Sequence, residues 1–233
     1  VPLKGNNDVL SLTRPDVISE IHHRYLEAGA DIITTNTFSS QVISQKDYGL
    51  TAHVDALNRA SATLARQEAD RMTALTPSQP RFVVGDIGPT SKMLSMSEDV
   101  NDPASRAVTF DQVEAAYLQQ MRVLLECRVD AVLVETIFDT LNAKAAISAF
   151  IKAKEEFAND EYVPEIMLSM TVSDSSGRTL SGQTIEAFVI SVEHCSPLSL
   201  GLNCGLGASG MLPYLRQMSR AASCFISCHP NAG

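Results

Sequence analysis

Short apolar runs of strand length alternate with helical segments along the 233-residue chain, and this alternation limits the possible folds more than any other feature. The runs are continuously apolar rather than alternating, which a parallel sheet covered on both faces requires. Every run except the last is followed by a helical pattern, so the order predicts an α/β fold. The six predicted strands are Ala30–Ile33, Arg81–Gly85, Ala131–Val134, Ile166–Ser169, Ser196–Leu202 and Cys224–Ser227.

The helical segments show apolar residues on one face. Two of them are preceded by the spacing of a capping box, Thr13-x-x-Asp16 before a helix that ends at Gly29, and Thr109-x-x-Gln112 before a helix bearing Val113 and Tyr117. The other predicted helices are Val54–Met72, Leu141–Phe157, Ile185–His194 and Met211–Ala222.

Two α/β architectures fit this pattern, a doubly wound open sheet and a (β/α)8 barrel. The first predicted strand is not followed by a glycine-rich phosphate-binding sequence, which weakens the dinucleotide-binding form of the open sheet. A barrel needs eight strands, whereas the sequence supplies six. If the fold is a barrel, two strands lie outside these residues.

Composition excludes several classes of partner. The net charge of −9 argues against nucleic acid and against an anionic membrane, since both select basic surfaces. No apolar run is long enough to span a bilayer. The five cysteines form no even disulfide framework, so we expect a reducing, cytoplasmic setting. They are Cys127, Cys195, Cys204, Cys224 and Cys228.

Polar side chains recur where the predicted strands end. In both architectures the functional site forms at the carboxyl ends of the strands. The connection Asp86–Val108 is also long for a strand-to-helix link, which is typical of a functional cover. The strand-end residues are Thr35-Asn36-Thr37, Asp86, Glu135-Thr136, Ser173-Asp174, Asn203-Cys204 and His229.

Each of these residues also has a structural interpretation. A single cysteine such as Cys204 is commonly a small buried hydrophobe, and Glu135 could cap the helix that follows it. Asp174 lies in a sequence with ordinary turn chemistry, and His229 precedes a proline in a loop-like segment. Cys224 and Cys228 flank an apolar strand, and we expect them to pack in the core.

Three strings carry a resemblance to a known family: Gly29–Phe38, Gly88-Pro89-Thr90 and Gly201-Leu202-Asn203-Cys204. They resemble the homocysteine-binding domain of zinc-dependent homocysteine methyltransferases. Within that family, four further strings are similar to those of cobalamin-dependent methionine synthases: Asp99–Pro103, Glu135–Lys144, Ser176–Thr184 and His229–Gly233. The similarity extends from about Leu3 to Gly233.

The resemblance implies a (β/α)8 TIM-type barrel that is incomplete, with six of eight strands and with the first and last missing. Residues 1–233 would be a partial homocysteine-binding barrel domain. The family's Asp-Gly motif, which helps to hold the substrate amino group, would precede Val1, and its Gly-Gly-Cys-Cys zinc motif would follow Gly233. Thr35, Asp86 and Met170 depart from the residues usual in the family.

The resemblance also implies a function: zinc binding, and activation of homocysteine as a thiolate that accepts a methyl group from methylcobalamin to form methionine. Cys204 would be a zinc ligand, Glu135 would face the substrate ammonium group, and Asn203 and Asn36 would position the amino acid. Methylcobalamin and the folate would be bound by other domains of the same parent chain, so we expect the 233 residues alone to be inactive.

Two alternatives remain open: a non-catalytic remnant unable to bind zinc, and another thiol methyltransferase of the same family. Asp86, Asp174 and His229 receive no role from the sequence.

Overall fold

The six predicted strands form one parallel sheet in the computed structural model, which describes residues 3–159, 161–172 and 176–232. The strands lie side by side in chain order, and every neighbouring pair is parallel. They are β1 (Ile32–Thr34), β2 (Phe82–Ile87), β3 (Ala131–Ile137), β4 (Glu165–Met170), β5 (Ser199–Gly207) and β6 (Phe225–Asn231).

Helices connect successive strands and cover the outer face of the sheet, as the alternation of the sequence predicts. Three single 3-10 turns, Lys46–Tyr48, Thr51–His53 and Glu193–Cys195, complete the regular elements of the described residues. The helices are α1 (Leu10–Thr13), α2 (Pro15–Glu27), α3 (Val42–Gln45), α4 (Val54–Leu75), α5 (Phe110–Glu126), α6 (Thr140–Phe157), α7 (Ile185–Val192) and α8 (Ala208–Ala221).

The outer face of the sheet contains most of the core. Val83, Val132 and Leu168 point toward the helices and are fully buried. Helix α4 shows why these helices pack here, because its small and apolar residues recur at helical spacing on a single buried side, with Leu57 and Ala65 among them. Both faces of the strands are thus covered over their middle residues, which explains the continuous apolar runs.

The inner face alternates with the outer one and is different in character. Val84, Ala131 and Leu133 form a small separate cluster with Met167 packed against it. At the amino ends of the strands, three inner side chains are largely exposed: Ile32 at 51%, Phe82 at 43% and Phe225 at 75%. At the carboxyl ends, the inner positions are polar.

The sheet is curled, so that β3 and β5 contact each other across the inner face. Strand order follows the chain without reversal, whereas a doubly wound sheet reverses at its switch point. The predicted class is therefore confirmed: an α/β fold of incomplete TIM-barrel type. That further strands precede residue 1 and follow residue 233 stays a prediction.

The two predicted capping boxes had different outcomes. At α5, Thr109 Oγ1 accepts a hydrogen bond from Gln112 N, and Gln112 Oε1 accepts one from Thr109 N. The box predicted at Thr13 is wrong. Thr13 closes the short helix α1 and its hydroxyl donates to Val9 O, while Arg14 occupies the N-cap position before Pro15.

No helix among the described residues has both the length and the apolar character needed to cross a bilayer.

Candidate active site at the carboxyl ends of the strands

Two of the site residues predicted from the sequence lie where a strand is interrupted. The pairing of β3 with β4 shifts between Val134 and Ile137, and that of β5 with β6 shifts between Asn203 and Gly207. Glu135 lies in the first irregularity and Cys204 in the second. Such irregularities are frequent next to active sites, and each of the two contains one predicted site residue.

Left-handed backbone accompanies both irregularities. Thr136 has φ 55° and Cys204 has φ 44°, and neither is a glycine. This conformation costs a residue with a side chain about 1–3 kcal/mol and is concentrated at functional sites. Gly205 follows with φ 70°, where an added Cβ would lie 2.3 Å from Val172 O, so the turn after Cys204 requires glycine.

The amide of Asn203 joins the two irregular segments. Its Oδ1 accepts hydrogen bonds from Thr136 N at 3.0 Å and from Ser169 Oγ at 2.7 Å, and its Nδ2 donates to Thr136 Oγ1 at 2.8 Å. Asn203 is 6% exposed. The side chain therefore fixes the backbone next to Glu135 from the strand that carries Cys204.

Cys204 is half-buried at the rim of the sheet. Its Sγ lies 3.2 Å from Thr171 Oγ1, where either atom could donate. The thiol is therefore accessible and in a polar setting, which differs from the structural interpretation of Cys204 as a buried hydrophobe.

Glu135 does not cap the following helix. Asp139 is the N-cap of α6, and its carboxylate accepts a hydrogen bond from Leu141 N at 2.9 Å. The structural interpretation of Glu135 is thus wrong, because the cap position falls four residues further along the chain. Its carboxyl group is available to the inner face.

Asp86 and Glu135 form a pair of carboxyl groups on the inner face of the neighbouring strands β2 and β3, and each influences the pKa of the other. Burial, followed by the negative charges of Glu135 and Asp8, raises the pKa of Asp86 well above its usual range. Burial also raises the pKa of Glu135, while the charge of His229 and the hydrogen bond with Asp86 lower it in part. Asp86 is the more deeply buried of the two, so burial favours its neutral form more strongly than that of Glu135.

Asn36 lies beside β1 and its amide is engaged by the N-terminal segment. Its Nδ2 donates to Asn7 O at 3.0 Å and to Ser11 Oγ at 3.1 Å. Asn36 also lines a cavity of about 470 Å³ that Asp86 and His229 share. Asp174 and Ser173 fall outside the described residues.

The long connection between β2 and α5 is irregular throughout, as the sequence predicts, and is attached to the start of α6. Ser95 donates to the Asp139 carboxylate from its N at 2.8 Å and from its Oγ at 2.7 Å. Asn142 Oδ1 accepts from Leu94 N at 2.9 Å. Asp139 and Asn142 were not predicted as functional residues, although two polar residues at the start of a helix that follows a long loop indicate such a contact.

A second hydrogen-bond network supports β1 and β2, and of its members only Gln120 was not among the predicted strand-end residues. Thr35 Oγ1 accepts from Asp86 N at 2.9 Å, and Thr37 Oγ1 donates to Asp86 O at 2.7 Å. Gln120 Nε2 donates to Thr37 O at 2.7 Å. These bonds fix the backbone of Asp86, so that its side chain has a defined place on the inner face.

The remaining cysteines do not converge on Cys204. Cys195 Sγ donates to Val192 O, and Cys228 Sγ lies 3.7 Å from Met211 Sδ on the outer face. Cys224 packs partly against the core, as expected, but Cys228 is exposed. Among the described residues, no three histidine, cysteine or carboxylate groups are close enough to hold a metal. Zinc sites take three or four such ligands, so the described residues do not by themselves form one.

Comparison with known proteins agrees with this fold and gives the family of the chain. The sequence model of the homocysteine S-methyltransferase family matches residues 2–233, and the chain belongs to that family.

Solved structures of the homocysteine methyltransferase MmuM from Escherichia coli are similar to the chain. The metallated form superposes with a TM-score of 0.79 at 20% identity, covering 96% of this chain and 75% of that one. The oxidized form has the same TM-score of 0.79 at 20% identity, covering 96% of this chain and 74% of that one. The apo form has a TM-score of 0.74 at 19% identity, covering 99% of this chain and 77% of that one. At such identity the likeness establishes the fold.

Proposed function

We propose that this chain is the homocysteine-activating part of a cobalamin-dependent methionine synthase, which transfers a methyl group from methylcobalamin to homocysteine. The observation that carries the proposal is the family match over residues 2–233, together with Glu135 and Cys204 at one rim of the sheet. The strings Asp99–Pro103 and Glu135–Lys144 support the cobalamin-dependent type. The free state of all five cysteines supports a cytoplasmic setting.

The reaction needs the substrate sulfur as a thiolate. A free thiol with a pKa of about 8.5 is only slightly ionised at neutral pH, and zinc, when bound, replaces its proton. Cys204 would hold the metal through Sγ. The other ligands would come from outside the described residues, as the resemblance to a family with a later Gly-Gly-Cys-Cys motif implies.

The residues of this chain would orient the amino acid. Glu135 lies on the inner face with an available carboxyl group, which suits an ammonium group of opposite charge. Asn203 holds the backbone at Glu135 and at Cys204 in one arrangement, so it would fix the spacing between the two ends of the substrate. Asn36 would contribute from β1.

The donor is tested on the longest natural polypeptide that contains this chain. Methionine formed from homocysteine is measured with methylcobalamin, and separately with sulfonium or betaine methyl donors. Turnover with methylcobalamin is expected. Turnover with the other donors alone would favour the second candidate, a homocysteine methyltransferase of another type, to which the likeness to MmuM also points.

The metal is tested on the 233-residue chain and on the longer polypeptide. With one soft ligand, the short chain should retain little zinc, whereas the longer one should hold about one zinc per chain. Cys204→Ser should abolish that binding, and Cys127→Ser is the matched control. Stoichiometric zinc in the short chain that survives Cys204→Ser would show the ligand assignment to be wrong. Absence of zinc from both would favour the remnant.

A further inference from the structure

Thr171, the first residue after β4, carries a buried hydroxyl at the rim of the sheet that the sequence analysis did not single out. Thr171 is 8% exposed, and its N donates to Ile137 O at 3.0 Å, so its backbone is held against the end of β3. Its side chain is β-branched and therefore has few rotamers open to it. The hydroxyl of Thr171 thus has a well-defined place at the carboxyl ends of the strands.

That place is beside the sulfur of Cys204. Thr171 Oγ1 lies 3.2 Å from Cys204 Sγ. The glycine that follows leaves room for this approach, because a Cβ added at Gly205 would lie 3.2 Å from Thr171 Oγ1. Ser169, two residues earlier on β4, supports Asn203 through its own hydroxyl. Two hydroxyls of β4 therefore support two successive residues of β5.

The backbone of Cys204 explains why its sulfur needs such support. Its φ of 44° lies in the left-handed region, and its side chain is half-buried at the rim, where packing alone does not fix the direction of a thiol. A hydroxyl both donates and accepts hydrogen bonds, whereas a thiol donates weakly and a thiolate only accepts. Rotation of the Thr171 hydroxyl alone lets it accept from the thiol and donate to the thiolate.

We propose that Thr171 is the positioning residue of Cys204: its hydroxyl holds the sulfur in one place before and after the thiol loses its proton. The inference rests on the proposed function, since a ligand sulfur that is already in place needs less reorganisation when a metal binds. Removing a group that hydrogen-bonds to a metal ligand typically weakens the metal affinity about 10- to 100-fold. Thr171 acts through Cys204 and not on the substrate.

The hydrogen bond is tested by infrared spectroscopy on the longest natural polypeptide that contains this chain, freed of metal by a chelator. The S–H stretching band lies clear of other protein absorption and falls in frequency when the thiol donates a hydrogen bond. Subtracting the spectrum of Cys204→Ser from that of wild type isolates the Cys204 band, which is expected at the lowered frequency. Cys195, whose Sγ donates to Val192 O at 3.1 Å, is the internal standard. A Cys204 band at the frequency of a free thiol would overturn the proposal without any change at Thr171.

Two variants separate the hydroxyl of Thr171 from the shape of its side chain, each measured against its own Cys204→Ser double variant. Thr171→Val keeps the shape and removes the hydroxyl, so the Cys204 band should move to higher frequency. Thr171→Ser keeps the hydroxyl and should leave the band near its wild-type position. The control is Thr63→Val on an exposed part of α4, where the hydroxyl donates to Arg59 O, and it should not move the band. An unmoved band in Thr171→Val would refute the hydrogen bond.

Zinc affinity of the same polypeptide, measured by competition with a chelator, separates this inference from the proposed function. Thr171→Val should weaken the affinity about 10- to 100-fold, and Thr171→Ser should remain close to wild type. If the S–H band moves but the zinc affinity does not change, Thr171 is not a positioning residue and the proposed function stands. Absence of zinc from the wild-type polypeptide would overturn the proposed function together with this role of Thr171.

Discussion

The outer and inner faces of the sheet are built from alternate residues of the same strands, yet they do different work. On β4, Leu168 faces the helices and is fully buried, whereas its neighbour Met167 faces inward and is only partly covered. The outer face is a continuous apolar core. The inner face has a small apolar cluster between an exposed apolar end and a polar end. The outer face thus contributes most of the buried apolar surface that stabilises the fold, and the inner face carries the candidate active site.

The largest expected effect concerns the exposed apolar end of the inner face. Ile32, Phe82 and Phe225 present large apolar side chains to solvent, so the 233-residue chain should bind dyes that report apolar surface and should self-associate. Light scattering and dye fluorescence measure this. Replacing Phe225 by Ser should reduce both signals. A monodisperse chain without dye binding would show that the inner face is better covered than described.

Opposite faces of β4 should respond differently to truncation. Leu168→Ala should lower the free energy of unfolding by about 2–5 kcal/mol, because it opens a cavity in a close-packed core. Met167→Ala should cost less than half as much. Chemical denaturation of the two variants measures both values. Equal losses would mean that the inner cluster supports the fold as strongly as the outer core.

The contact between β5 and β6 depends on the absence of a side chain on the inner face. A Cβ added at Gly201 would lie 2.0 Å from Ser227 Oγ and 2.8 Å from Ser227 O. Gly201→Ala should therefore destabilise the protein by about 1–3 kcal/mol. Gly207→Ala is the control, since the nearest atom to its added Cβ is 4.0 Å away. A tolerated Gly201→Ala would mean that β6 can move away from β5.

The smallest expected effect is a dependence of the free energy of unfolding on pH. Folding raises the pKa of Asp86 and Glu135 above their ordinary values of 3.8 and 4.5, so the folded state holds more protons than the unfolded one. The pair's stability contribution is fully present below these values and is lost as pH rises through the folded pKa values.

Each unit by which a pKa is raised corresponds to about 1.4 kcal/mol. Asp86→Asn should therefore be more stable than wild type near neutral pH, with the advantage shrinking toward about pH 4. Urea denaturation across this range measures the difference. An advantage that does not change with pH would show that Asp86 is ionised in the folded protein.

The sequence predicted the strands well because the middle residues of each strand are covered on both faces, and such burial requires a continuous apolar run. It predicted β3 and β5 too short, ending at Val134 and Leu202, because polar residues follow where the ladder becomes irregular. Glu135 and Cys204 were predicted as site residues from their place at the strand ends, and their roles came from the resemblance. The left-handed backbone at Thr136 and Cys204 could not be predicted, and neither could the hydrogen bonds of Asn203 to Thr136. Both depend on contacts between strands that are far apart in the sequence.

The error at Thr13 has a similar origin. The spacing Thr13-x-x-Asp16 is that of a capping box, but it does not show whether the threonine begins one helix or ends another. Here the residues before Thr13 form the short helix α1, and Thr13 ends it. The hydroxyl then bonds back to Val9 O instead of forward. The Thr13 hydroxyl could bond to the backbone before it or after it, and the helix formed by the preceding residues places Val9 O within reach.

Asp139 couples the connection after β2 to the start of helix α6, which should link the rates at which the two open. The same carboxylate holds Ser95 and starts helix α6 at Leu141. The connection and the first helical turn are thereby tied to one group, and release of the first weakens the second. Amide protons of Ser95 and Leu141 should consequently exchange with solvent deuterium at linked rates, because release of the connection would also loosen the first turn of α6.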